Sequence, residues 1–486
     1  MGKNRNKYLL KNTAVFAIGN FASKFISFFL VPLYTNALIA AEYGTADLLY
    51  TLCNFLVPLF TLNIVEGVLR FSLDKYANEK NIVRVACQML IPLMVIGLIS
   101  VPIVSLFDNF RDYVWHFYAY MISVGVSNIF LIILKGQEKL KEYAFGNVLH
   151  TILITALNLI FLLWLKMGIS GYFLAYIIAN ILTAAYALWK ANIANLLRGT
   201  SFDKSLFKKM ASYSVVLIPT SFMWWIMNFL DRAMITGMVG PADSGIYAIS
   251  YKLPSILTTV SSVFMQAWLF SAVKNKDDED NTEYTNRIFN ALSFVIIGVS
   301  LLMVVFTKQI FSVYVAPEYY VAWECVPCLM VGHIFLTLST FISTSYNVNK
   351  DSRGFLKSAS IGAVVNLVLN AILIPLLGMQ GAAIATTISY MSVFTYRLIN
   401  TRKYVKIQLT PRFLLSVFSI LPVCIAIYAD GWVVSVISGI CLICFAIINY
   451  QYFMKTFGAI RVILERCSTV IGKHAKRRAK RASNTI

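Results

Sequence analysis

From residue 13 to residue 453 the chain is a succession of apolar segments of about 20 residues, broken only by short polar interruptions. As a helix, each segment is long enough to cross the roughly 30 Å of hydrocarbon in a bilayer. Backbone N–H and C=O groups in hydrocarbon must be bonded within the protein, so a ladder of this kind folds as a bundle of spanning helices. Composition agrees, since 58% of the 486 residues are hydrophobic and only 13% are charged. Mean hydropathy is +0.71, far from the balance of a soluble domain. The fold class is therefore all-α: a polytopic integral membrane protein of about fourteen transmembrane helices.

The first six spans are expected at 13–38, 45–69, 85–106, 114–134, 145–165 and 171–189. Eight more are expected at 211–239, 246–273, 288–315, 322–347, 355–377, 382–399, 413–428 and 433–453. This divides the chain into an N-terminal lobe (1–193), a linker (194–210), a C-terminal lobe (211–400), a last helix pair (401–454) and a basic tail (455–486). In the linker, Phe202, Leu206 and Met210 share one helical face with lysines elsewhere, the pattern of a helix lying at the cytoplasmic interface. Pro32, Pro219 and Pro254 interrupt spans and mark expected bends.

Basic residues orient the ladder. Of the 42 lysines and arginines, all but Arg111, Lys166, Lys308, Lys24, Arg232 and Lys252 fall in the N-terminal segment, in every second loop or in the tail. By the positive-inside rule both termini are expected in the cytoplasm. The net charge of +20 is thus topological, and no base-reading module accompanies it, which argues against nucleic acid as a partner. The densely basic stretch 473–481 suits anionic lipid headgroups. The first apolar segment is too long for a cleavable signal peptide.

Chemistry-bearing motifs are few. The eight cysteines lie mostly within spans and suggest no disulfide framework. Cys325 and Cys328 are spaced CxxC with Glu324 and His333 nearby, yet Pro327 intervenes and a zinc site needs four converging ligands. No metal, cofactor or catalytic apparatus is expected.

The chain repeats itself. Ala41-Glu42-Tyr43-Gly44 recurs as Ala242-Asp243-Ser244-Gly245, and Gly168-Ile169-Ser170-Gly171 as Gly378-Met379-Gln380-Gly381. Both halves start from the same side, so they read as parallel repeats about an axis along the membrane normal, with a cargo site between them.

Three cations lie inside the spans: Lys24, Arg232 and Lys252. Each costs on the order of 3 kcal/mol at mid-membrane unless it meets water, a counter-charge or an anion. Lys24 shares a polar stripe with Asn20, Ser27 and Tyr34, and Arg232 shares one with Ser214, Ser221 and Asn228. Small polar residues alone suit helix packing, but full charges need more. Asp231 projects about 100° away from Arg232 and is expected to pair with Lys252, while Asp47, Glu66 and Glu324 lie near span ends, where water reaches. The balance is a cationic cavity for an anionic cargo, with Lys24, Arg232, Lys252, Asn20 and Asn228 as binding candidates. Asp231 and Glu66 are candidate carriers of a coupling proton or sodium ion.

Lys24 within SKFISFFLVPLYTNAL, then EYGTADLL (42–49) and NFLDRAMITGMVGPADSGIYAISYKLPS (228–255), resemble the polysaccharide-transport branch of the multidrug/oligosaccharidyl-lipid/polysaccharide exporter superfamily, the Wzx-type flippases. The resemblance implies two pseudo-symmetric six-helix lobes in a V around a central cavity, with the last helix pair outside it. It further implies transport, by alternating access, of a polyprenyl-diphosphate-linked oligosaccharide for O-antigen, capsule or exopolysaccharide. The implied setting is a bacterial cytoplasmic membrane, with membrane lipids, a polysaccharide polymerase and glycosyltransferases as partners. A lipid II or spore-wall precursor flippase is the nearest rival. A multidrug exporter of the same superfamily predicts an acidic cavity and usually twelve spans.

Overall fold

The computed structural model describes residues 28–74, 78–199, 201–276, 278–429 and 431–454. Regular structure among them is entirely helical. The longer helices are α1 (Val31–Ala37), α2 (Ala40–Phe60), α3 (Ile64–Ser72), α4 (Glu79–Gln88), α5 (Leu90–Val104), α6 (Val114–Gly136), α7 (Leu140–Asn158) and α8 (Gly168–Lys190). They continue as α9 (Lys204–Met238), α10 (Pro241–Ser250), α11 (Lys252–Lys274), α12 (Asn281–Val305), α13 (Val326–Val348), α14 (Ser352–Asn400), α15 (Pro411–Phe418), α16 (Leu421–Ala426) and α17 (Trp432–Ile448).

By length and composition, 8 helical stretches can cross a membrane, or up to 9 if the bent pair α2 and α3 is one span. The expected fourteen are not reached among the described residues. The first expected span lies mostly outside them, Lys204–Met238 is not among the stretches counted, Pro411–Ala426 and Trp432–Ile448 are short, and Ser352–Lys403 counts once. That last stretch is in fact broken at Gly378, whose φ of 57° and ψ of −136° no helix contains. Gly168, its counterpart in the other half, has φ 54°. The second sequence repeat is thus a left-handed glycine turn used twice, a conformation strained for residues with a Cβ.

The α2–α3 bend of 56° has a local cause. Pro58 sits in the last turn of α2, and Leu62 and Asn63 both adopt left-handed backbone, with φ near 53° and 51°. The Thr61 hydroxyl meanwhile donates to the Val57 carbonyl at 2.7 Å, satisfying an acceptor at the helix end. Residues Lys204–Met210, within the expected linker, are the opening turns of α9, which runs on through Pro219 to Met238. Asp203 caps it by accepting from the Leu206 N–H at 2.9 Å, and Met210 is buried in one core cluster with Ile64, Val68 and Ile133.

The chain divides into two compact units, one of 1–278 with 306–405, the other of 279–305 with 406–486. In the second unit, Phe294 of α12 stacks on Phe445 of α17 at 5.8 Å. The Asn449 amide donates to the Ser416 hydroxyl at 2.9 Å. In the first unit, α5 turns Ile91, Val95, Leu98 and Ile99 outward, the apolar exposure that hydrocarbon permits and water penalises.

Candidate functional site

Two helices from opposite halves of the first unit, α2 and α10, cross where the first sequence repeat lies. A Cβ on Gly44 would overlap the Pro241 carbonyl oxygen, and one on Gly245 would overlap the Ala40 carbonyl oxygen. The repeated glycines therefore face each other, and their lack of a side chain is what lets the two backbones touch. Further links join the halves at the end assigned to the outside by charge bias. Glu318 Oε1 accepts from the Ala40 N–H at 2.9 Å, the Tyr319 hydroxyl donates to the Leu38 carbonyl at 2.9 Å, and Thr35 Oγ1 accepts from the Ala316 N–H at 3.2 Å.

Directly beside the crossing, Arg232 Nε of α9 lies 2.5 Å from Asp47 Oδ2 of α2. Their side chains are only 12% and 8% exposed. Asp47 was expected at a hydrated span end; the α2–α10 contact instead buries it and makes it the counter-ion of Arg232. The other face of the guanidinium lies over the Tyr251 ring at 5.4 Å. Lys252 begins α11 in the same region, its amine 6.0 Å from the centre of the Tyr43 ring. No hydrogen bond or ion pair to that amine is found among the described residues.

Asp231 does not pair with Lys252, contrary to the expectation. It points into the C-terminal half, is wholly buried, and accepts four hydrogen bonds. Asn366 and Asn370 donate to Oδ1 at 3.0 and 2.6 Å, and Tyr247 and Thr386 donate to Oδ2 at 3.0 and 2.5 Å. The roughly 100° between successive helical side chains sends Asp231 and Arg232 to opposite halves. One amide oxygen in this cluster, Asn370 Oδ1, is buried without a hydrogen-bond partner among the described residues. The carboxylate is thus met by two amide N–H groups and two hydroxyls.

The remaining candidates divide. Lys24 and Asn20 lie outside the described residues, as does the side chain of Asn228, which α9 carries one turn before Arg232. Glu66 is exposed in the first turn of α3, just past the bend. The sequence reading missed Arg397, assigned there to a loop. It is wholly buried at the end of α14, where Nε donates to the Ser358 hydroxyl at 3.0 Å and one terminal nitrogen to the Ser339 carbonyl at 2.9 Å. It also missed a polar stripe on α2, Tyr43, Asp47, Tyr50 and Asn54, whose spacings of 4, 3 and 4 put them on one face. Below it a cavity of about 130 Å³ opens between Asn54, Phe55 and Pro58 of α2 and Ile218 and Phe222 of α9.

Residues 9–270, more than half the chain, match the family model described as polysaccharide biosynthesis protein. The chain belongs to that family. Among curated relatives of the chain is the probable low-salt glycan biosynthesis flippase Agl15 of Haloferax volcanii, 23% identical over 314 residues. The match covers 62% of this chain and 65% of Agl15, so the chain spans just under two thirds of that relative. Among solved structures, the lipid II flippase MurJ in an inward closed conformation superposes with a TM-score of 0.63 at 16% identity, over 91% of this chain and 100% of MurJ. A multidrug resistance MATE family transporter in its inward-facing conformation gives 0.57 at 15% identity, over 81% and 93%. The fold of this multi-pass membrane protein is therefore the one shared by MurJ and the MATE transporters.

Proposed function

We propose that this protein is a flippase. It carries a polyprenyl-diphosphate-linked oligosaccharide from the cytoplasmic to the outer leaflet by alternating access, with both termini in the cytoplasm. The observation that carries the reading is Lys252: a cation inside the helical bundle that makes no ion pair among the described residues, beside an Arg232 paired with Asp47. An intramembrane cation so placed is suited to receive a visiting anion. The diphosphate of a lipid-linked glycan supplies that anion, and the Haloferax relative's description as a glycan flippase supports the class of cargo. A drug exporter for organic cations would be ill served by the same lysine.

In this reading the α2–α10 crossing and the Asp47–Arg232 pair close the outer side while cargo enters from the inner one. Arrival of the diphosphate at Lys252 competes for Arg232, whose planar fork fits phosphate oxygens. Loss of the Asp47 contact then frees the crossing to part. Outward movement of an anion in an inside-negative membrane gains about 2.3 kcal/mol per charge per 100 mV, so energy is needed chiefly to reset the empty carrier. Asp231 would hold a proton or sodium ion for that reset; bound there, the ion neutralises the carboxylate.

Depletion of the protein in its host tests the reading, with lipid-linked saccharides assayed on the cytoplasmic leaflet. Accumulation of one such species is the expected result. No accumulation, together with lost resistance to cationic dyes, would overturn it.

A further inference from the structure

Six tyrosines crowd together in the N-terminal half of the first unit: Tyr34, Tyr43, Tyr50, Tyr120, Tyr172 and Tyr176. Tyr50 stacks on Tyr120 at 5.8 Å and meets Tyr176 edge-on at 5.5 Å. Tyr172 lies 4.8 Å from Tyr176 and 5.4 Å from Tyr34, which stacks on Tyr43 at 6.1 Å. The hydroxyls of Tyr34 and Tyr176 are 3.4 Å apart, and the Asn158 amide donates to the former at 3.3 Å.

Phenylalanine would pack as well without placing a hydroxyl in hydrocarbon, where an unsatisfied polar group is costly. Six such choices in one cluster, bonded in part to one another, give the bundle an aromatic surface with a polar rim. Tyr50 and Tyr176 are only half-buried, and Asn54, one turn below Tyr50 on the same face of α2, is exposed. Lys252 closes the other end of the cluster over the Tyr43 ring. An aromatic face with a hydroxyl rim and a cation at one end matches a pyranose attached to a diphosphate: the rings cover the C–H face of the sugar, and the hydroxyls and amide bond its edge.

We infer that Tyr50 and Tyr176, with Asn54, form a subsite for the first sugar rings of the cargo, next to the diphosphate position at Lys252. The inference rests on the lipid-linked glycan reading above.

The test uses the full-length protein in nanodiscs and two probes, undecaprenyl diphosphate and the same lipid bearing an N-acetylglucosamine disaccharide. The expected result is that the sugar tightens binding roughly tenfold, as one or two stacked rings allow. In Tyr50→Ala and Tyr176→Ala that increment should vanish while affinity for the bare diphosphate stays within about twofold, and Tyr50→Phe should retain most of it. An increment unchanged in both alanine variants, or affinity for both probes falling together, overturns the subsite. An absent sugar increment in the wild-type protein also overturns it and leaves the flippase reading standing, whereas a wild-type protein that binds neither probe defeats both.

Discussion

Arg232 and Asp47, 185 residues apart in sequence, are held at 2.5 Å inside the bundle. They meet because Gly44 and Gly245, equivalent positions of the internal repeat, let α2 and α10 touch just beside them. An ion pair withdrawn from water is a poor source of stability but an effective latch, since separating it exposes two charges at once.

Breaking one side of that latch should be costly. Asp47→Asn or Arg232→Gln leaves its partner buried and uncompensated, with an expected loss of roughly 3 to 5 kcal/mol. The double variant should lose less than the sum of the two, by about 1 to 3 kcal/mol. Thermal unfolding of the purified variants measures the cycle, and strict additivity would show that the pair does not couple the halves.

A methyl group at the crossing should force the helices apart. Gly44→Ala and Gly245→Ala are expected to destabilise the closed contact by about 1 to 3 kcal/mol, as overpacking does. A cysteine introduced by Ser244→Cys, at a position now buried, reports the opening through faster labelling by a water-soluble maleimide.

Lys252 separates binding from folding. Making no direct ion pair among the described residues, it should be replaceable by methionine without loss of thermal stability, and with a gain of up to about 3 kcal/mol if its amine is poorly hydrated. Glycan export should nevertheless fall at least about tenfold. Parallel loss of protein abundance and export would assign Lys252 a structural role.

Asp231 should make stability respond to the coupling ion. With sodium replacing choline at constant ionic strength, the unfolding midpoint of the wild-type protein should rise in proportion to ln(1 + [Na⁺]/Kd). Asp231→Asn should abolish that response, and Glu66→Gln should leave it intact. A midpoint insensitive to both sodium and pH, with export unchanged in Asp231→Asn, would remove Asp231 from the coupling scheme.

Asp351 lies between spans, where its carboxylate caps α14 through the Gly354 N–H at 2.8 Å and accepts from Lys403 and Tyr404, each at 2.9 Å. The Lys403 ammonium first, then the Gly354 N–H and the Tyr404 hydroxyl, hold its carboxyl down at about 2. A depressed acid stabilises the fold above its unfolded pKa of about 3.9, and the contribution is lost as pH falls through the folded value. Asp351→Ala should thus cost about 1 kcal/mol near neutrality. The gap between variant and wild type should close as pH is lowered from about 4 towards 2, read from midpoints across an acid series.

Much of the scaffold is legible in the residues because hydrophobic length and turn chemistry are local. The span expected at 114–134 is the helix Val114–Gly136, and that at 171–189 lies within Gly168–Lys190. The repeated glycines marked two equivalent turns, and the structure gives both Gly168 and Gly378 positive φ. Arg397 escaped because a basic residue near a span end reads as a loop cation, and only the packing of α13 against α14 reveals the Ser339 carbonyl and Ser358 hydroxyl that receive it. The tyrosine cluster escaped because its members come from α1, α2, α6 and α8, and no periodicity links them.

By itself the sequence determined that the chain is a membrane bundle, that its halves repeat, and that Arg232 and Lys252 lie where charge is expensive. Those conclusions depend on the transfer free energies of single residues and on distances along one helix. Which anion answers which cation depends on helix crossings between distant segments. The tertiary structure decided that Asp47 answers Arg232, that Asp231 is spent on Asn366, Asn370, Thr386 and Tyr247, and that Lys252 lies over the Tyr43 ring.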